Sequence, residues 1–430
     1  MMNIDDEFYP LNIHKDEFDF QNHLYESMMQ AIEENNISLF YKTIDKGFDI
    51  HWNANESLLQ AAKFGRFNMV QELVSLGADI NDQNFEILYF AAASENLDVL
   101  DFIFHHGWNG GNRQLFLFMD TLISQHKNQS FLYLFNSWDE DKKNNYLENF
   151  VSSCAMHNNE FLLQFFEQNF SLSQKILKNT IFLANKHRNL PIIQYLSPIT
   201  SLSQDDFHFL LLESIYNQNK KLIEYFMIEK NYSQLEESHY FQAQKSNDIS
   251  IFQLLLNLDK NKKNSLTQQL LYNSISYNQP KIFDLLLQEG LDYKKNIHPF
   301  FQFSIEQENS FFIIFFLQNG ANISYQNHLA IRTAIQKNLV DIIEPLLEAG
   351  ANIYANNNEA IQYLLKNKNP KILKIILDKD ISIPSSIIEA LPENNQDEKT
   401  FKLFLSKRED KLRLQKEIQP KKIIKAQLKI

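Results

Sequence analysis

Cys154 and His157 stand three residues apart in CAMHNNE. On one helix face that spacing could pair a thiol with an imidazole, or supply two of the four ligands of a zinc site. Cys154 is the single cysteine of the chain, so a zinc set has no sulfur to complete it. The expected role of Cys154 is a small buried side chain beside an inter-helix turn. His105 and His106 precede Gly107 and fit the last turn of a helix, where the dipole favours histidine. Asp139, Glu140 and Asp141 could hold a divalent cation, but they lack spaced partners and read as a solvated loop.

No phosphate-cradling G-x-x-x-x-G-K-[ST], dinucleotide G-x-G-x-x-G or zinc-protease H-E-x-x-H occurs. The sequence therefore offers no catalytic, cofactor-binding or metal-ligating residues. What remains is aromatic. Trp52, Trp108 and Trp138 fall in or near the inter-unit loops of neighbouring units, where tryptophan is a natural anchor for another protein. These three are the candidate protein-binding residues.

Side chains of this kind need elements to hold them, and composition favours helices. The chain has 430 residues, 44% of them hydrophobic, with only 9 Gly and 10 Pro, too few for a turn-rich sandwich. One cysteine excludes an internal disulfide framework and fits a reducing compartment. The N-terminus MMNIDDEFYP has neither the basic nor the apolar region of a signal peptide. The apolar run from Phe311 to Leu317 falls well short of the roughly 20 residues that span a bilayer. Formal charge is -12. Residues 402–430 carry ten Lys or Arg against three Asp or Glu, net +7, which leaves -19 on residues 1–401. So acidic a body gives no long-range attraction to nucleic acid.

Gly47, Gly77 and Gly107 are 30 residues apart, and so are Gly290, Gly320 and Gly350. Asp380 falls on the next beat. Between the two groups the marks are Trp138, Asn169, Pro198, Asn231 and Asp259, preceded by apolar pairs such as Leu134 and Phe135, or Met227 and Ile228. Sixteen residues before each clear glycine stands a small side chain: Ala31, Ala61, Ala91, Ser274, Ser304 and Ala334. Ser153 and Ala243 take that place before Asn169 and Asp259. A small residue at one fixed point of every unit predicts close approach of another backbone there.

Within a unit the pattern is helix, tight turn, helix, loop. Leu58, Leu59 and Ala62 make one short apolar face, and Val70, Leu73 and Val74 another. Gly65 is expected to end the first helix in the left-handed conformation, with Asn96, Asn219 and Asn338 at that point in later units. Gly77 should end the second helix, and Asp79 or Asn352 can satisfy turn amides. Pro191, Pro280 and Pro370 suit the start of second helices, whereas Pro345 should sit inside one. Pairs this short must bury their apolar faces against neighbouring pairs.

These marks resemble the ankyrin repeat family. Its Leu-Leu-x-x-Gly-Ala-Asp-Ile-Asn ending is matched by LVSLGADIN (Leu73 to Asn81) and LLEAGANI (Leu346 to Ile353), and its double alanine by Ala61-Ala62 and Ala91-Ala92. The family's Thr-Pro-Leu-His is absent: Glu56-Ser57-Leu58-Leu59 stands in its place. The unit is 30 residues where the family usually has 33. The three missing residues fall in the loop that ordinarily forms a projecting β-hairpin, so plain turns are expected there.

The expected fold is all-α: an ankyrin-like helix-turn-helix repeat solenoid of about twelve units with short inter-unit loops. Residues 1–24 form an N-terminal extension or cap, 25–110 clear repeats, 111–270 divergent repeats, 271–385 clear repeats, and 386–430 a C-terminal cap with a basic tail. A separate helical domain in the middle is the rival organisation. The resemblance implies a non-catalytic scaffold that binds another protein. The alternative is an enzyme that modifies a bound protein through a divergent module in residues 110–270. Neither nucleic acid nor integral membrane association is expected, and no cofactor. The expected location is cytoplasmic. The Asn-, Lys- and Phe-rich composition resembles proteins of intracellular bacteria, amoebal parasites or large viruses. From a bacterium, the chain would be an effector delivered into a host cell.

Overall fold

The structure is a computed structural model that describes residues 10–53, 55–81, 86–367, 369–379, 381–389, 399 and 401–414. Its described residues contain helices and turns and no strand. The helices come in antiparallel pairs, about twelve in all, in a repeat solenoid. Glu56–Lys63 and Phe67–Ser75 form one pair: Leu58, Leu59 and Ala62 of the first bury against Met69, Val70 and Leu73 of the second and against the neighbouring pairs.

The turn inside each pair is one left-handed residue. Gly65 adopts φ +66° there, and Asn35, Glu95, His126, Asn158 and Arg188 do the same at steps of about thirty residues, with Gln218, Asn247, Asn278, Glu308 and Asn338 continuing the series. The reversal lets the next amide turn back onto the first helix: Arg66 N–H donates to Ala61 O at 2.8 Å, and Gln279 N–H to Ser274 O at 2.8 Å. Asn338 holds the position expected of it. Asn96 and Asn219 do not, because the left-handed residues are Glu95 and Gln218 and the asparagines come one place later. There they cap the second helix, with the Asn96 side chain accepting from Val99 N–H at 3.3 Å and that of Asn219 from Leu222 N–H at 3.2 Å.

The same register corrects the small-residue position in the fifth repeat. Asn159 N–H donates to Cys154 O at 3.0 Å, so Cys154, and not Ser153, is the counterpart of Ala61 and Ala184. All are fully buried. Gly47, Gly77, Gly107, Gly290, Gly320 and Gly350 end second helices with φ between +90° and +142°, as their spacing predicts. Pro280 and Pro370 open second helices and Pro191 stands in the first turn of another. Pro345 lies inside Val340–Glu348, which stays helical.

The chain divides into two compact bodies, Met1–Leu222 and Ile223–Ile430. In the first, phenylalanines fill the core: Phe131 and Phe150 rings lie 5.1 Å apart, and Phe135 and Phe166 5.4 Å apart. Its first helix runs unbroken from Pro10 to Glu33, so residues expected as an extension share one element with the first repeat; no glycine interrupts residues 11–33. In the second body Phe283 and Phe312 lie 5.0 Å apart, and Phe300 and Phe316 6.1 Å. Met227 and Ile228 lie in a π turn, Tyr225–Glu229, which buries Phe226 and Met227 and leaves Ile228 exposed. Residues 111–270 are helix pairs at the same step.

The loops between pairs are plain turns. Asp79 Oδ1 accepts from Asn81 N–H at 2.9 Å and Asn352 Oδ1 from Tyr354 N–H at 2.9 Å. Near the C-terminus the helical stretch 401–414 packs on the preceding pair: Leu405 is buried, and Arg408 donates to Leu377 O at 2.9 Å and Ile381 O at 3.2 Å. Asp380 and residues 415–430, most of the basic tail, lie outside the described residues.

Candidate protein-interaction surface

The groups that could do chemistry do not converge. Cys154 is fully buried, and burial, reinforced by the Asp120 carboxylate, pushes its thiol well above the ordinary value. His157 on the same helix is exposed, so the two face different surroundings. His105 Nδ1 lies 3.1 Å from Asp101 O, and the ring of His106 stacks on Phe102 at 4.1 Å; both belong to a helix end. Asp139 is not in a solvated loop: its side chain accepts from Lys142 N–H at 2.8 Å and caps Glu140–His157, with Glu140 and Asp141 in the first turn. Negative charge there is favoured by the helix dipole. Among the described residues no three His, Cys, Asp or Glu side chains are grouped to hold a metal.

The tryptophans have three different surroundings. Trp52 is half-buried, with its ring 5.4 Å from that of the exposed Phe18. Its loop is held by the preceding helix, since Gln21 donates to Gly47 O and accepts from Asp49 N–H, both at 3.0 Å. Trp108 is half-buried and stacks on Phe104 at 5.7 Å. A β-carbon on Gly110 would come 2.2 Å from the Trp108 ring, so glycine there permits the close approach. Asn81 repeats the role of Gln21, donating to Gly107 O at 2.7 Å and accepting from Asn109 N–H at 3.1 Å. Trp138 is only 7% exposed. Its ring lies 5.3 Å from Tyr146 and 5.9 Å from Phe150, so in the free chain it is core and not an exposed anchor.

Beside the Trp108 loop, successive first helices expose further aromatic surface. Tyr89 and Phe90 lie half-buried on Glu86–Ala93, and Phe118 half-buried beside the exposed Leu117 on Asn112–Ser124. The Tyr89 and Phe118 rings are 6.4 Å apart, and Gln125 Nε2 donates to Tyr89 Oη at 2.5 Å. Sequence reasoning missed this face. Its signal was available: an aromatic, Tyr89, stands thirty residues after Leu59, which is buried in the preceding repeat.

A second polar system lies at the opposite ends of the helices, at the turns within pairs. The cap residue of a second helix also reaches back to the preceding repeat. Asn96 donates to Gly65 O at 2.9 Å, Asn159 to Ile123 O at 3.0 Å, and Asn189 to Ala155 O at 2.6 Å. In the second body Gln279 donates to Gln244 O at 2.6 Å and Asn309 to Ile275 O at 2.8 Å. Asn96, Asn159 and Asn309 thus each cap their own helix and bond the repeat before it, whereas Asn189 and Gln279 make only the bond to the preceding repeat. The histidine that the family would place near the start of each first helix is absent, and these amides tie neighbouring repeats at the turn edge.

Compared with known families, residues 28–113 match the family model described as ankyrin repeats (3 copies). The match covers the Trp52 and Trp108 loops and the Tyr89 helix. No curated protein matches the chain. Ankyrin repeats of this kind are a protein-protein interaction module. No described helix is long and apolar enough to cross a membrane.

Proposed function

We propose that the chain is a non-catalytic scaffold that holds another protein, and that the contact surface lies in the ankyrin-matching part, around Trp52, Trp108 and the Tyr89–Phe118 face. One observation carries this reading: the matched residues 28–113 present aromatic side chains on loops and helices fixed by amide bonds to their neighbours. Half-buried aromatics on a fixed frame suit a protein partner, because their ordering is largely complete before binding. A host-delivered bacterial effector is the finer form of the proposal, supported by the Asn-, Lys- and Phe-rich composition and the degenerate repeats.

Affinity capture or proximity labelling tests the surface, with the natural chain compared against Trp52→Ala/Trp108→Ala. Loss of a defined partner by a variant with an unchanged thermal melt is the expected result. An unchanged set of captured proteins would remove the two tryptophans from the interface.

A further inference from the structure

The turn edge of the sixth and seventh repeats carries charges that the protein itself does not neutralise. Lys186 and Arg188 stand on the turn of the sixth repeat, and Lys220 and Lys221 on that of the seventh, all four exposed. Among the described residues none of them makes an ion pair, whereas Lys178, Lys262, Lys337 and Lys379 each face a carboxylate within 4 Å. Of the acidic groups in the same stretch, Glu167 accepts from Tyr195 at 2.9 Å, Asp206 from Lys178 at 2.8 Å and Glu213 from Asn185 at 3.1 Å, and Glu224 pairs with none of the four.

The turns that carry the cations are tied to one another. The fifth and sixth turns are tied by Asn189, which donates to Ala155 O and Met156 O at 2.6 and 3.1 Å, and the seventh reaches the sixth through Asn217, 3.5 Å from Lys186 O. Arg188 itself sits in the left-handed conformation at φ +66°, where the neighbouring repeats have Asn158 and Gln218. An arginine there is strained, and its backbone gains nothing from the charge. Two exposed rings flank the edge, Phe161 at 56% and Tyr216 at 66%.

We infer that this edge, over residues 161–221 of the first body, binds a short acidic polypeptide segment that also carries apolar side chains. Successive turns are about 10 Å apart, so three of them span about 20 Å, the reach of about six extended residues. A long polyanion such as nucleic acid would also meet the acidic remainder of a chain with net charge -12, whereas a short segment meets only the edge. The inference rests on the reading of the chain as a protein-binding module, but it uses a surface separate from Trp52 and Trp108.

The test is fluorescence anisotropy on the full chain with a dye-labelled peptide of four glutamates flanked by leucines, its glutamine counterpart, and a dye-labelled oligothymidylate of six nucleotides. The edge variant combines Lys186→Gln, Arg188→Asn, Lys220→Gln and Lys221→Gln. Arg188→Asn places at that backbone a residue that tolerates it, so the melt should not fall. A control variant of equal charge combines Lys281→Gln, Lys294→Gln, Lys295→Gln and Lys371→Gln. The expected result is salt-sensitive binding of the glutamate peptide, weakened about tenfold or more by the edge variant and unchanged by the control or by Trp52→Ala/Trp108→Ala. Phe161→Ser/Tyr216→Ser should weaken it less. Three outcomes would overturn the inference: no binding by the natural chain, equal loss in edge and control variants, or tighter binding of the oligothymidylate. None of them bears on capture through the tryptophans.

Discussion

Trp138 and Trp108 have the same residue type and nearly the same place in their repeats, yet they differ in what they touch. Trp138 is enclosed by Phe135, Tyr146 and Phe150, so Trp138→Ala leaves a cavity and is expected to cost about 3–5 kcal/mol. Chemical denaturation would show it as a lower midpoint, whereas Trp108→Ala should move the midpoint much less. Asp206 carries a pH dependence. Burial alone would raise its carboxyl, but hydrogen bonds from Lys178 at 2.8 Å and from the Ser203 hydroxyl and amide outweigh it and hold the group below the usual value. A carboxylate with a lowered folded pKa contributes stability that is present above the unfolded value of about 3.9 and disappears as pH falls through the folded one. Asp206→Asn should therefore lower stability at pH 7 and flatten its decline in acid. Equal acid slopes for the variant and the natural protein, in melts between pH 7 and 3, would refute this assignment.

At the scale of elements, a helix pair depends on its turn, and in several repeats one amide side chain at the turn serves two repeats. Asn309 accepts from Phe312 N–H at 3.3 Å and donates to Ile275 O at 2.8 Å. Asn309→Ala removes a cap and one of the hydrogen bonds to Ile275 O, which still accepts from Asn278 N–H at 3.1 Å, a loss of about 1 kcal/mol. Asn309→Asp would keep the cap and lose the donor, so its shortfall in a urea melt should fall between that of alanine and zero. The helix pairs themselves were legible from the sequence, because glycine at φ +90° or more and a small side chain sixteen residues earlier are requirements of geometry that leave a periodic mark. The turn within the pair was less legible. Glu95, His126, Arg188, Gln218 and Glu308 all adopt the left-handed conformation, which their residue types do not advertise, and attention fell on Asn96 and Asn219 one place too late. Exposure of the tryptophans was not legible either, since burial of Trp138 depends on Tyr146 and Phe150 from the next repeat.

Within each body, stability is distributed among neighbours, each pair burying the face of the next. A lesion at one end should therefore be felt locally. Leu405→Asp would place a charge in the buried contact of the stretch 401–414 with the preceding pair. Hydrogen exchange should then quicken in Pro370–Asp378 and Ser385–Glu389 and stay unchanged in the body Met1–Leu222. Uniform acceleration along the chain would instead mean that it opens as one cooperative block. The paired use of Asn and Gln at the turn edge has a further consequence for how such a gene can change. Where a repeat carries this donor, it addresses a backbone carbonyl of the repeat before it, and a carbonyl is supplied by any residue. Unequal crossing-over that removes or duplicates one thirty-residue block therefore brings a fresh donor against an equivalent acceptor, so an array can gain or lose copies without new recognition having to evolve at the junction.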